Sequence, residues 1–523
     1  MGNLRLMSLV EQMDTVTDDS AGTVDRHATT ATFDSTDPAS GAVVGVFPVH
    51  DAAAVRETVD RARPAARQWA ALGWDGRRQR LAAYRSYLAR RLNELADLVH
   101  RENGKPHADG ILEITLAIDH LAWAGAHART TLGQRKVSAG MLAANHAAYL
   151  EYQPLGVIGV IGPWNYPVFT PMGSIGYALA AGNAVVFKPS EHTPAVGAWL
   201  ATAWRAAVPD CADAFQVVTG NGSTGAALCS AGVDKLAFTG SAPTGRKVMA
   251  ACAETLTPVL MELGGKDAMI VDDDADVVAA ADAAVWGAMS NGGQTCIGIE
   301  RVYATSAVYD RFVAEVTEKV RTLRPGSDGE ASYGPMTMAS QTGIVRRHVE
   351  GATTAGGRVV RGDADPSLFP SENYVAPTIL LDVPEDNAAI REETFGPTLS
   401  ITKVRDAEEA LELANNSAHG LGGSVFSKSK ERGMDLARRM RSGMVSVNSV
   451  LTFASVPSLP FGGVGNSGFG RIHGEDGLKE FTRAKSITRQ RVALPVNLMS
   501  FGRPAGAADA LARVMGTIHG RHR

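Results

Sequence analysis

From about residue 155 the chain alternates between two textures. Short β-branched or apolar runs stand at Val157–Ile161, Ala184–Lys188, Phe215–Thr219, Leu236–Thr239 and Val259–Glu262. Helix-compatible stretches such as Thr193–Val208 and Pro243–Ala253 lie between them. A repeat of roughly 20–30 residues leaves room for a crossover helix, so successive strands run parallel in βαβ units. Ligands of such a sheet belong at the carboxyl ends of its strands. The first two runs bound a segment, Pro154–Phe187, that holds no Asp, Glu, Lys or Arg. Gly156, Gly159, Gly162, Pro163, Pro167, Pro171 and Gly173 interrupt it. A lipid-exposed helix does not tolerate that density of breakers, so the segment reads as buried core.

The rest of the chain is arranged around this unit. Residues 1–30 read as a loose polar tail. The turn Asp37-Pro38-Ala39-Ser40-Gly41 before Val43–Val46 predicts a hairpin. A helix follows over Ala52–Ala70. Leu81, Tyr84, Leu88, Leu92, Leu95 and Leu98 then recur at three- and four-residue intervals, which predicts one further helix with one buried face, ended by Gly104 and Pro106. A second α/β region spans 264–470. The last 30 residues carry a short helix near Ala507–Met515. The stretch from Ala493 to the end has no 18-residue apolar run, so no membrane-spanning segment is expected. The opening residues lack the apolar stretch of a signal peptide.

Composition excludes several classes of function. With 45% hydrophobic and 20% charged residues, the 523-residue chain has a folding composition and length for several domain-sized units. Fifty-one Lys and Arg against 55 Asp and Glu leave −4, which gives no sign of a nucleic-acid surface. Cys211, Cys229, Cys252 and Cys296 are too few and too scattered for a disulfide framework or a zinc site. No metal is expected, and a reducing, cytoplasmic setting is.

Two GxGxxG stretches, Gly220–Gly225 and Gly463–Gly468, do not follow the first strand of the sheet. Each reads as a structural turn rather than the principal pyrophosphate loop, with Gly225 kept as a cofactor neighbour. Gly240 and Ser241 are better placed. They follow a strand and open a helix, where backbone N–H groups can face a phosphate. Lys188 and Glu191, a cation and an acid at a strand's carboxyl end, suit a nucleotide ribose.

Cys296 follows Asn291-Gly-Gly-Gln-Thr after the helical run Asp276–Ser290. A buried cysteine is ordinarily an inert core thiol. Here the glycines permit an unusual backbone whose N–H groups can stabilise an oxyanion. Glu262, at a strand end beside Gly264-Gly265, is placed to act as a general base. Asn165, after the first strand, offers an amide donor. A thiol, a carboxylate and an amide donor make a covalent-catalysis set. Spacing does not by itself bring them together.

These residues resemble the NAD(P)-dependent aldehyde dehydrogenase superfamily. The likeness covers roughly residues 30–490. It rests on Pro163-Trp-Asn-Tyr-Pro167, Lys188-Pro-Ser-Glu191, Phe238-Thr-Gly-Ser241, Met261-Glu-Leu-Gly-Gly-Lys266, Gly293-Gln-Thr-Cys296, Glu393-Thr-Phe-Gly-Pro397 and Pro460-Phe-Gly-Gly463. The resemblance implies a Rossmann-like parallel-sheet cofactor domain (31–133 and 154–263) and an α/β catalytic domain (264–470). It also implies a small β bridging element (134–153 and 471–495) that carries homodimer or homotetramer contacts, and it leaves 496–523 as a tail. A strand near Ala147–Gln153 should pair with one near Ser486–Val492.

The resemblance also implies roles. Cys296 looks like the nucleophile, Asn165 with the Cys296 N–H like the oxyanion hole, and Glu262 like the base. Lys188 and Glu191 look like adenosine-ribose contacts, Ser241 like a pyrophosphate neighbour with Gly240 and Leu263 beside the cofactor, and Trp164 like an adenine-side wall. Glu393 looks like the nicotinamide-ribose anchor, with Phe395 beside it. Glu475 sits where many members keep a second carboxylate. Relatives that pass the acyl group to coenzyme A lack a glutamate at the place of Glu262, so its presence points to a free carboxylic acid. An acid at Glu191 repels a 2′-phosphate and favours NAD, with NADP as the alternative.

By family position the substrate tunnel is lined by Tyr166, Phe169, Thr170, Met289, Ile297 and Phe453. That lining is mostly apolar, and Tyr166–Gly182 holds no Arg or Lys. An uncharged aliphatic or aromatic aldehyde is therefore the expected substrate. Succinate semialdehyde is the alternative, given a cation from elsewhere in the fold. A thiol hydrolase using Cys296 without redox chemistry is the rival of a different class.

Overall fold

A computed structural model describes residues 31–520; the tail expected over 1–30 lies outside the described residues. A six-stranded sheet has the order Gly468–Phe469, Val259–Leu263, Lys235–Gly240, Val157–Ile161, Ala184–Lys188, Phe215–Val217. Its neighbours are parallel, except that Gly468–Phe469 runs antiparallel to Val259–Leu263. The chain steps outward from Val157–Ile161 to Phe215–Val217, then returns to the other side of Val157–Ile161 at Lys235–Gly240. That reversal opens a crevice above the carboxyl ends of the strands. The uncharged segment supplies the middle of this sheet. Its two strands and the helix Phe169–Ala181 are buried along their whole length. A helix apolar all round belongs in a core. Among the described residues, no helix is long and apolar enough to cross a membrane.

The residues 264–266 lead directly from the first sheet into a second, seven-stranded one. Its order is Arg358–Arg361, Thr378–Leu381, Thr398–Val404, Ile299–Thr305, Asp267–Val271, Gly423–Phe426, Ser446–Val447, and only Arg358–Arg361 is antiparallel to its neighbour. A three-stranded antiparallel sheet pairs His146–Pro154 with Thr482–Gln490 on one side and Arg135–Val137 on the other. Thr32–Thr36 and Val43–Pro48 form the hairpin.

The leucine stripe does not lie on one helix. It is divided between Gly73–Arg90 and Leu92–Asn103, because Arg91 leaves helical geometry at φ −113°, ψ 22°. Leu81, Tyr84, Leu88, Leu95 and Leu98 are nevertheless all buried. A stripe reports which residues face the core and is blind to a one-residue break that keeps the spacing. Gly104, at φ +91°, closes the second helix. The C-terminal helix runs Ala507–His519, one turn longer than expected, and buries none of its residues.

Candidate active site

The link between the two sheets positions the site. Glu262 ends the strand Val259–Leu263, and Gly264 and Gly265 follow. A Cβ at Gly265 would collide with the carbonyl oxygen of Cys296, and one at Gly264 with the carboxylate of Glu393. The two glycines thus let Cys296 and Glu393 close onto the end of the Glu262 strand. Glu393 Oε1 accepts the Gly265 N–H at 2.9 Å.

The turn that carries Cys296 is built by left-handed residues. After the helix Val277–Met289, Asn291, Gly292 and Gly293 take φ of 53°, 63° and 72°. A side chain at Gly293 would strike the carbonyl of Gly396. Asn291, the residue without glycine's freedom, is held by its own amide, which donates to the Asn165 carbonyl at 3.0 Å. Asn165 in turn donates from Nδ2 to the Gln294 carbonyl at 2.9 Å. The second amide hydrogen of Asn165 and the backbone N–H of Cys296 have no acceptor among the described residues. They are two unused donors on two turns that the Asn165–Gln294 bond ties together.

Cys296 is half-buried and free. Burial pushes its thiol well up, and the charges of Glu262, Glu393 and Asp267 push it further. Glu262 is 2% exposed, and neither of its carboxylate oxygens has a hydrogen-bond partner among the described residues. Burial pushes this carboxyl up to about 8, assisted by Glu393 and Asp267. The Cys296 thiol lies near enough to oppose that shift without hydrogen-bonding geometry. A buried carboxyl with nothing to bond is poised to exchange a proton near neutral pH.

Beside Cys296 lies a cavity of about 240 Å³. Tyr166, Phe169, Thr170 and Ile297 line it as expected from sequence. Met289 and Phe453 do not. Met289 turns into the core under the second sheet, and Trp286 and Ser290 line the cavity in its place. Phe453 packs behind the wall against Gly422, while its neighbours Thr452 and Ala454 face the cavity. Trp286 and Leu112, about half exposed at 48% and 49%, mark the open end.

Sequence reasoning missed the residues that hold the floor. Lys105 and Glu113 are fully buried and pair at 2.6 Å. Glu113 Oε1 accepts the N–H groups of Val168 and Phe169 at 2.7 and 3.0 Å. Lys105 Nζ donates to the Asn165 carbonyl at 2.8 Å and stands 3.9 Å over the Tyr166 ring. Tyr166 Oη meets Thr295 Oγ1 at 3.1 Å. Both sides of the turn after Val157–Ile161 are thereby fixed. The only signal in the sequence was a Lys and a Glu eight residues apart, which ordinarily read as surface.

Lys188 and Glu191 meet at 3.2 Å at the carboxyl end of Ala184–Lys188, away from the cavity. Lys188 is buried with this single partner among the described residues. Burial pushes Glu191 up, but the Lys188 charge and hydrogen bonds outweigh it and hold the carboxyl below its ordinary value. Gly240 and the exposed Ser241 stand where the helix Ala242–Ala253 begins; Ser241 bonds Thr244 Oγ1 and caps no N–H. Leu263 packs onto Gly245 of that helix. Gly225 lies inside the helix Gly222–Ser230, which Asn221 caps, and the second GxGxxG makes the turn before Gly468–Phe469. Two sequence expectations are corrected. The Trp164 ring packs edge-on against Phe395 at 5.6 Å, which puts it at the Glu393 end of the crevice and not on the adenine side. Its turn crosses the end of the central strand toward the Cys296 loop, as the Asn165–Gln294 bond shows. Glu475 is exposed in the first turn of Gly474–Glu480, paired with Lys479 at 3.2 Å, and does not reach the cavity.

The residues present fit an extended, anionic, ribose-bearing ligand. The crevice offers a buried ammonium with unused donors, a carboxylate, an uncapped helix start and, at its other end, a second carboxylate held over glycines.

Comparison with known proteins agrees with this architecture. Residues 24–487 match the Aldehyde dehydrogenase family. A 4,4'-diapolycopene aldehyde oxidase of Methylomonas sp is 38% identical over 467 residues, covering 89% of this chain and 87% of that protein. Lactaldehyde dehydrogenase of Escherichia coli superposes with a TM-score of 0.83 at 30% identity, over 88% of this chain and 96% of that one. An NAD-dependent aldehyde dehydrogenase of Sinorhizobium meliloti gives 0.84 at 33% identity, over 90% and 93%. The chain belongs to the aldehyde dehydrogenase family.

Proposed function

We propose that the protein oxidises an uncharged aliphatic or aromatic aldehyde to its carboxylic acid with NAD, using Cys296 as nucleophile. The observation that carries this is the convergence of the unpartnered Glu262 carboxyl and two unused donors on the tied Asn165 and Cys296 turns, with Cys296 itself lining one apolar cavity. Sulfur bonds to the aldehyde carbon, the thiol proton passes to the Glu262 carboxylate, and the carbonyl electron pair moves onto oxygen. The Asn165 amide and the Cys296 N–H receive that oxygen; losing one such donor typically costs about 10²–10³-fold in rate. NAD, when bound, supplies the hydride acceptor that turns the adduct into a thioester. Glu262, after releasing the first proton to solvent, takes a proton from water as it attacks the thioester carbon; the C–S bond breaks, that proton returns to the Cys296 sulfur, and the acid leaves.

In this reading Lys188 and Glu191 hold the adenosine ribose. Gly240, Ser241 and Gly225 border the phosphates. Leu263, Trp164 and Phe395 flank the other end, where Glu393 holds the second ribose. The ionised Glu191 carboxylate favours NAD over NADP. The scattered free thiols fit a cytoplasmic enzyme. The largely exposed outer strand Thr482–Gln490 is the proposed seam of a homodimer or homotetramer, which sedimentation would read directly.

The test is an aldehyde panel, 4,4'-diapolycopene aldehyde included, with both nicotinamide cofactors. Absorbance at 340 nm should rise, and Cys296→Ala should abolish the rise. Hydrolysis of a carboxylic ester or thioester, with no change at 340 nm for any aldehyde, would favour the thiol hydrolase instead.

A further inference from the structure

One helix supplies a whole wall of the cavity. Asp109, Leu112, Glu113 and Leu116 recur at three- and four-residue spacing along His107–Leu132 and all line it, with Lys105 just ahead of the helix. Lys105 is the one cation among the described lining residues, and it is fully engaged. Its ammonium donates to Glu113 and to the Asn165 carbonyl and presses on the Tyr166 ring. It therefore has nothing left for a ligand. Asp109 differs. It is half-buried, and its carboxylate accepts no hydrogen bond from any described residue. Burial pushes its carboxyl up and the Lys105 charge draws it back. It stands one turn beyond Lys105 and just before the exposed Leu112, toward the open end that Trp286 also marks.

We propose that Asp109 is a specificity-determining residue, whose carboxylate on the cavity wall disfavours aldehydes that carry an anionic group at the far end. This rests on the aldehyde dehydrogenase reading of the same cavity. A ligand carboxylate entering here meets a like charge where water is thinned and screening is weaker than in bulk. No free cation on the wall offsets the loss of its hydration. A neutral chain meets none of this repulsion and gains from the apolar lining. The structure thereby assigns the site to neutral aldehydes over dicarboxylate semialdehydes.

The test compares hexanal with adipate semialdehyde, which share a chain length and differ in the terminal charge. The unsubstituted protein should prefer hexanal in kcat/KM. Asp109→Asn should narrow that ratio at least about tenfold by improving adipate semialdehyde, with hexanal changed less than about threefold. Asp109→Lys should narrow it further. The same two ligands titrated calorimetrically into Cys296→Ala, with and without Asp109→Asn, read the charge discrimination without turnover. An unchanged ratio in both settings overturns the role of Asp109. Failure of hexanal to be oxidised by the unsubstituted protein overturns the underlying activity instead, and the calorimetric ratio still reads the wall.

Discussion

At Glu262 the chain buries a carboxyl that bonds to none of the described residues, and two measurable effects follow from that one residue. As the base of the proposed reaction it must be ionised, so thioester hydrolysis should rise with pH up to about 8 and level off above it. Glu262→Gln should slow hydrolysis by about 10²–10⁴-fold and leave an acyl-enzyme visible by mass spectrometry; prompt product release would remove Glu262 from the role. The same residue costs stability. Its folded-state pKa is raised, so its contribution is fully present below the unfolded value and is lost as pH climbs through about 8. The slope is about 1.4 kcal/mol per pH unit for one proton. Glu262→Gln should therefore gain in thermal midpoint over its parent between pH 5.5 and 8, and parallel calorimetric curves would contradict this. Cys296, Glu262 and Asn165 were legible in the sequence because each sits at a strand end or glycine turn with a distinctive residue type. Lys105 and Glu113 were not, because a Lys–Glu pair looks the same in sequence whether it lies in water or in the core.

Elements decide how rigidly those residues are held. The turn after Val157–Ile161 leans on the Lys105–Glu113 pair from below. Lys105→Met leaves a buried carboxylate without its cation, which should cost about 3–5 kcal/mol in urea unfolding, and adding Glu113→Gln should recover part of it. On the other side, Gly264→Ala would push a methyl into the Glu393 carboxylate and break its bond to the Gly265 N–H. Losing this hydrogen bond should raise the KM for NAD by about three- to tenfold, while Cys296 labelling by iodoacetamide should stay unchanged. Element boundaries show what periodicity carries. The leucine stripe named the buried face correctly and missed the break at Arg91. Met289 and Phe453 were off by the same kind of error, since a neighbour one to three residues away on the same turn takes the cavity face. Glu475 faced the surface because it lies in an exposed first helical turn, a fact that a motif position does not encode.

For the whole molecule, buried histidines set a second limit on stability. His120 and His473 pack with ring centroids 4.0 Å apart and planes tilted by 57°, behind the cavity wall. Burial holds His120 down to about 4 and His473 well below its usual value, so their contribution is present above pH 6.5 and is lost as pH falls below it. The alternation of strands and helices and the uncharged segment were enough for the sequence alone to determine a parallel α/β architecture, and residue type at strand ends and glycine turns was enough to single out Cys296, Glu262 and Asn165 as candidates. Those features depend on local spacing and residue type. Only the tertiary structure decided that the two sheets abut through residues 264–266, that Trp164 lies against Phe395, and that Lys105 is spent on Glu113 while Asp109 is not. Charge pairing and wall identity arise from segments far apart in the chain, and no local pattern fixes which of them meet.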